Sequence, residues 1–161
     1  MLANQYKILS MIDPANKDSY LRAHDAVESG YEIAIQGLFD PISDGLDEED
    51  CLLVIRSMDM YSAMQRSIEK LPQSSGISKN DVMFDGFDGN NETMFMAYAC
   101  FLVEKEHRFT DLKPEDNDFN SHCQMVPAYF SMLRVWETMG RRYNLSADEI
   151  RAILEARWAD S

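Results

Sequence analysis

Apolar residues recur along this chain at spacings of three and four, the period of helices that bury one face. Leu2 to Ile12 is a short stretch of this kind, apolar on one side. Asp13-Pro14 stops it and can open the next helix. Asp13 would be its N-cap, and Pro14 its first residue, where a missing N–H costs nothing. That helix is expected to reach Ser29 and to end at Gly30, a residue type that terminates helices in the left-handed conformation. Over 31–39 the pattern divides. Tyr31, Ile33 and Ile35 alternate like a strand, whereas Ile35, Leu38 and Phe39 suit a helix. With no partner strand in the sequence, helix is the preferred reading. A loop is expected over 40–45, which carries Pro41, Ser43 and Gly45.

The second long helix signal begins at Asp47, a capping residue followed by Glu48, Glu49 and Asp50 in the first turn, where the helix dipole favours them. Val54, Met58, Tyr61, Met64, Ile68 and Leu71 continue it, and Pro72 closes it. Residues 72–81 are rich in Ser, Gly and Gln and read as a linker, with Asp85-Gly86 and Asp88-Gly89 marking turns beyond it. A further helix is expected from Asn91 to about Arg108. It contains the longest apolar run, 94–103, half of the roughly 20 residues a membrane span needs, so the run reads as a helix buried on all sides. Pro127 stands near the start of another, whose face is Tyr129, Met132, Leu133, Trp136 and Met139. In the last, Ser146 and Glu149 make a capping box and Leu145 can staple onto Ile150. Ile150, Ile153, Leu154 and Trp158 would form its buried face. No internal repeat occurs at solenoid periods. The expected fold is all-α, a compact multi-helix domain of about five to seven helices over 1–161. The alternative is two helical lobes, 1–72 and 80–161, joined by 72–81.

Composition narrows the function classes. The 161 residues suffice for one core, and 45% hydrophobic with 27% charged is ordinary for a globular chain. The 28 Asp and Glu outnumber 15 Lys and Arg, a net charge of -13. Such a molecule repels phosphate backbones and anionic membrane surfaces, and Arg141-Arg142 is its one adjacent basic pair. Nucleic acid and membrane are therefore not expected partners. The acidity serves solubility first, and a basic partner protein second. Asn4, Gln5 and Lys7 interrupt the opening residues, so no signal peptide is expected. Three cysteines, Cys51, Cys100 and Cys123, do not make a disulfide framework and point to a reducing cytoplasm.

The chemical motifs are few, and most fail on their own terms. Glu104 and His107 form Glu-x-x-His, the spacing of di-metal helical bundles, but that chemistry needs two copies. Leu21 and Phe119 stand three before His24 and His122, so no second copy exists. No Cys-x-x-Cys or His-x-x-x-His suggests zinc. Asp116, Asp118 and Asn120 imitate the start of a calcium loop, which then fails at Ser121 and Pro127. The acidic stretch 111–118 is expected to be solvated surface. There is no nucleophile elbow, no phosphate-binding glycine loop, and only an unsupported pairing of Cys123 with His107. No metal and no cofactor is expected. Glu104, His107, Arg108 and Asp111 surround a helix end and are the weak candidates for a ligand site. The chain has 11 methionines; Met58, Met60, Met64, Met94 and Met96 could make an adaptable contact surface, though core filling explains them better. Trp136, Trp158 and Tyr129 are candidates for subunit contacts, where large aromatics are enriched.

Several strings resemble the YfbU family in order along nearly the whole chain. They are Leu2-Ala-Asn-Gln-Tyr-Lys7, Asp13-Pro-Ala-Asn16, Met58-Asp-Met-Tyr61, Gly86-Phe-Asp88, Phe119-Asn120, Met132-Leu-x-Val-Trp136 and Tyr143-x-Leu-Ser-Ala-x-Glu-Ile150. The resemblance implies an all-helical bacterial cytoplasmic protein that self-associates. It implies no reaction and carries over no catalytic residue. An interaction protein that forms homo-oligomers, with an unidentified protein partner as a further option, leads by elimination. The alternative is a small-molecule-binding protein or enzyme whose pocket is assembled from distant polar residues.

Overall fold

Helices form where the apolar spacing places them. The structure, a computed structural model, describes residues 1–39, 45–114 and 119–158. Among these are seven α-helices, and the only β-type pairing is one isolated bridge between Phe87 and Asn120. None of the helices is long and apolar enough to cross a membrane. Chain contacts divide into two compact units, Met1–Gly45 and Leu46–Ser161.

In the first unit α1 (Leu2–Ile12) packs on α2 (Lys17–Ser29), and α3 (Glu32–Phe39) packs on α2. The divided pattern over 31–39 thus resolves as a helix. Gly30 ends α2 at φ 70°, as expected. Asp13 differs from its expected role. It precedes a 3-10 turn, Pro14–Asn16, and its side chain makes no backbone cap. Its carboxylate instead accepts hydrogen bonds from Asn16 Nδ2 (3.0 Å) and Tyr20 Oη (3.1 Å), which hold its pKa below the usual carboxylate range. The buried residues described in this unit are only Ser10, Ala23 and Ala26. The face of α1 that packs inward carries Leu2, Tyr6 and Leu9, all half-buried. Ile8, Met11 and Ile12 point the other way and are exposed. The helix is therefore apolar on two sides, where the spacing suggested one.

The second unit is built around α4 (Glu48–Ile68), with the Asp47 carboxylate accepting from Asp50 N at 2.8 Å as its cap. Helices α5 (Thr93–Glu104) and α6 (Val126–Thr138) pack on α4, and α7 (Ala147–Glu155) packs on α6. Because α5 and α6 and the 3-10 turns at Lys79–Val82 and Thr110–Leu112 all close onto α4, its middle is buried beyond the single face its spacing suggested: Leu53, Met60 and Ala63 join Val54, Met58, Tyr61 and Met64 inside. The core centres on aromatic rings. Tyr61, Phe84, Phe87 and Tyr129 meet at centroid distances of 5.3–5.8 Å, with Phe119 packed against Phe84 at 5.7 Å. Met58, Met60, Met64 and Met132 fill the space around them.

The stretch 72–81 lies inside this second unit. Gln65 Nε2 donates to Val82 O at 3.1 Å, Ser78 N donates to Asp81 Oδ2 at 2.7 Å, and the Arg151 guanidinium donates to Ser75 O. Its Ser, Gly and Gln make turns packed on the body, which composition alone cannot distinguish from a linker.

Three expectations need correction. Helix α5 is not buried on all sides, since Met94 and Phe101 are exposed. It also starts later and ends sooner than the expected Asn91 to about Arg108, at Thr93 and Glu104, and His107 and Phe109 beyond it take positive φ, so the helical course does not resume. The Ser146–Glu149 capping box, Leu145, Ile150 and Ile153 behave as expected, but Trp158 is 68% exposed. After Glu155 the chain tightens into a 3-10 turn, Ala156–Trp158, whose three residues per turn shift Trp158 off the face of Ile150 and Ile153. The loop expected over 40–45 lies outside the described residues except for Gly45.

Candidate functional site

Among the described residues, 86–92 and 119–126 are joined by a dense set of hydrogen bonds. Phe87 N donates to Phe119 O at 2.8 Å, and Ser121 N donates to Phe87 O at 3.0 Å. Asn120 Oδ1 accepts from Gly89 N (3.1 Å) and His122 N (3.0 Å), so one amide bridges both segments. The Tyr129 hydroxyl, fully buried, donates to Gly86 O at 2.8 Å, and its burial pushes its pKa well above the ordinary value.

Glu92 lies at the centre. It occupies the N-cap position of α5, yet its carboxylate serves another helix. It accepts from Met125 N at 2.9 Å and Val126 N at 2.8 Å, at the start of α6, and from Asp88 N at 3.0 Å. Neither helix start has a side-chain cap of the usual local kind. A helix N-terminus attracts an anion, and here the chain supplies its own. Glu92 is buried, so the negative charge is held by three N–H donors in place of water.

Asp88 is buried beside it and accepts from Asn90 N at 3.0 Å and from the Asn91 side chain. The Asn90 N–H first, then the Asn91 amide, lower its pKa. Stability tied to this carboxyl is present above about pH 4, its unfolded range, and is lost as pH falls through the lower folded value. Thermal unfolding followed from about pH 6 down to about pH 2 should therefore show a smaller acid-induced loss in Asp88→Asn than in the wild type. Parallel curves would remove Asp88 from the account.

A cleft of about 220 Å³ opens next to this hub, lined by Cys123, Met125, Ser131, Arg157 and Trp158 among others. The Arg157 guanidinium donates to Asp85 Oδ2 at 2.8 Å and lies 3.6 Å from Met125 Sδ. Its charge is thus compensated within the protein. The volume is below the roughly 300 Å³ at which ligand pockets begin, and the exposed Cys123 thiol contacts Met125 Sδ at 3.8 Å, which cannot act as a base.

The residues singled out from sequence do not assemble. Glu104, His107, Arg108 and Asp111 are all exposed. Glu104 pairs with Lys113 at 3.8 Å, while Arg108 pairs with Glu106 at 3.8 Å and lies over the Phe109 ring at 4.9 Å. Since α5 stops at Glu104, His107 is not its neighbour on a helical face. Trp136 and Tyr129 are buried core residues and correct the expectation of subunit contacts there; the Trp136 indole donates to Arg142 O at 3.1 Å. Of the three only Trp158 is on the surface. Among the suggested methionines, Met58, Met60 and Met64 are core, Met96 is half-buried and Met94 is exposed. Asp116 and Asp118, which began the calcium comparison, lie outside the described residues.

Among the described residues, one group of three metal-type ligands comes together, His24, Asp25 and Glu28 on α2. His24 Nδ1 is 3.0 Å from Asp25 and 3.9 Å from Glu28, ordinary spacing for neighbours on a helix. In the same unit a depression of about 470 Å³ lies between α1 and α2, lined by Lys7, Ser10, Met11, Pro14, Lys17 and Leu21.

Sequence reasoning does not find the hub as a unit, although its strings Gly86-Phe-Asp88 and Phe119-Asn120 are among those carrying the resemblance. A signal is present in Asp88-Gly89-Asn90-Asn91-Glu92, five polar or turn-forming residues directly before the most apolar helix. A family model described as the YfbU domain matches residues 1–156. That span is nearly the whole 161-residue chain, and the protein belongs to the YfbU-domain family.

Proposed function

We propose that the protein is a non-enzymatic, self-associating interaction protein of the bacterial cytoplasm. The observation that carries this reading is the poverty of the first unit's interior. Among its described residues Ser10, Ala23 and Ala26 are the buried ones, while Ile8, Met11, Ile12, Tyr31 and Ile33 are each more than half exposed. A unit of about 40 residues with so small a core usually needs an added constraint or a partner, and exposed apolar surface of this kind marks association sites. Three cysteines, an odd number, do not build a disulfide framework, which supports a reducing compartment.

The competing reading, a small-molecule-binding protein or enzyme, has less support. Its candidate cluster at Glu104, His107, Arg108 and Asp111 is spread over exposed surface, and the cleft at Arg157 is small and internally neutralised, which leaves the depression of about 470 Å³ between α1 and α2 as the feature in its favour. Size-exclusion chromatography with light scattering at micromolar concentration tests self-association. A mass at a multiple of 18.5 kDa is expected, and a strict monomer would sink the proposal.

A further inference from the structure

We infer that the outer face of α1 is the surface through which two copies of this chain meet. The inference rests on the self-association proposed above and names its site. Ile8, Met11 and Ile12 follow at spacings that place them on one side of the helix. They are 57%, 70% and 70% exposed. The opposite side carries Leu2, Tyr6 and Leu9 and is the side turned to α2. Leu21 of α2 extends the patch, since it lines the same depression as Met11. An α-helix needs only one apolar face to join its own unit. The second face is explained by a second contact.

Charge selects the occupant. The chain carries -13 overall, so two copies repel across most of their surface. Residues 1–39 hold three basic and five acidic side chains, which leaves the great majority of the excess acid to the rest of the molecule. In sequence Lys7 and Asp13 flank Ile8, Met11 and Ile12, and no charged residue lies between them. An uncharged patch of this kind neither draws in nor repels a like-charged body. A basic partner protein would be drawn instead to the acidic remainder. A patch of uncharged apolar side chains also complements itself, as a two-fold contact between identical chains requires. Stable pairs bury about 800 Å² on each partner, and side chains as large and exposed as Ile8, Met11, Ile12 and Leu21 supply roughly half of that.

The test compares the full-length wild type with Ile8→Asp/Ile12→Asp by light scattering, with helical content followed by circular dichroism. A dimeric wild type and a monomeric variant of unchanged helicity are expected. A variant that remains dimeric overturns the assignment of the interface and leaves self-association standing. A monomeric wild type overturns both. Should the double aspartate lose helicity, Ile8→Ala/Ile12→Ala decides, because alanine preserves the helix. Its dimer should dissociate at a concentration at least about tenfold higher than the wild type's, and an unchanged dissociation constant would overturn the assignment.

Discussion

Replacing Gly86 with alanine should lower stability by about 4–5 kcal/mol, more than most single substitutions cost. Two causes add. Gly86 has φ 84°, in the left-handed region where a β-carbon is disfavoured by about 1–2 kcal/mol. The larger cause is steric. A Cβ built at this position would stand 1.9 Å from Phe119 O and 2.3 Å from Phe119 C. Those atoms belong to the backbone, so no side-chain rotation relieves the overlap. Either the Phe87–Asn120 bridge opens or the Tyr129 hydroxyl loses Gly86 O, its buried acceptor. For a chain of this size the loss corresponds to a melting temperature lower by roughly 10–20 °C. Gly140→Ala is the control. Gly140 has φ 75°, but a methyl group added there would meet nothing within 4 Å, so only the backbone cost of about 1–2 kcal/mol applies. Equal losses in the two variants would discard the steric argument.

Glu92→Ala should cost about 3–5 kcal/mol, the lower part of what three N–H groups losing a buried acceptor at roughly 1–3 kcal/mol each would give. It strands the N–H groups of Asp88, Met125 and Val126 together and leaves the start of α6 without its anion. Glu92→Gln should cost less, yet not be neutral. One amide oxygen can still accept at α6, but the amide NH₂ then faces a donor at Asp88 N or at Met125 N. Urea denaturation of the three proteins gives the ranking. If Glu92→Ala unfolds at the wild-type midpoint, the carboxylate is dispensable and the two helix starts are held by other contacts. Because Gly86 and Glu92 secure the same segments, their combined loss should fall short of the sum of the separate losses.

Much of the fold is legible in local patterns because the signals are local. Asp47 before Glu48, Ser146 before Glu149 and Gly30 after Ser29 each concern a few consecutive residues, and each behaves as its chemistry demands. What is not legible involves residues distant in sequence. Glu92 finds Met125 across 33 positions, and Asn120 finds Gly89 across 31. No periodicity announces such a pairing. The same blindness explains the misplaced site. Glu104 and His107 are spaced for one helical face, and the end of α5 at Glu104, with the positive φ at His107 beyond it, takes them off it. Trp158 escapes its expected face through a change from about 3.6 to about three residues per turn, a detail of the last turn that amphipathic spacing does not encode. In the first unit, spacing shows that α1 is apolar without showing how many partners it serves.

Trp136 is buried and Trp158 exposed, and this gives the chain two natural optical labels with opposite surroundings. The enclosed indole, hydrogen-bonded to Arg142 O and edge-on to Tyr143, emits from an apolar setting, whereas the outer one is open to a dissolved quencher. A quencher titration therefore separates their emission without any mutation. The shielded component reports the integrity of the α6 packing, and the accessible one reports whatever comes to rest beside the final turn.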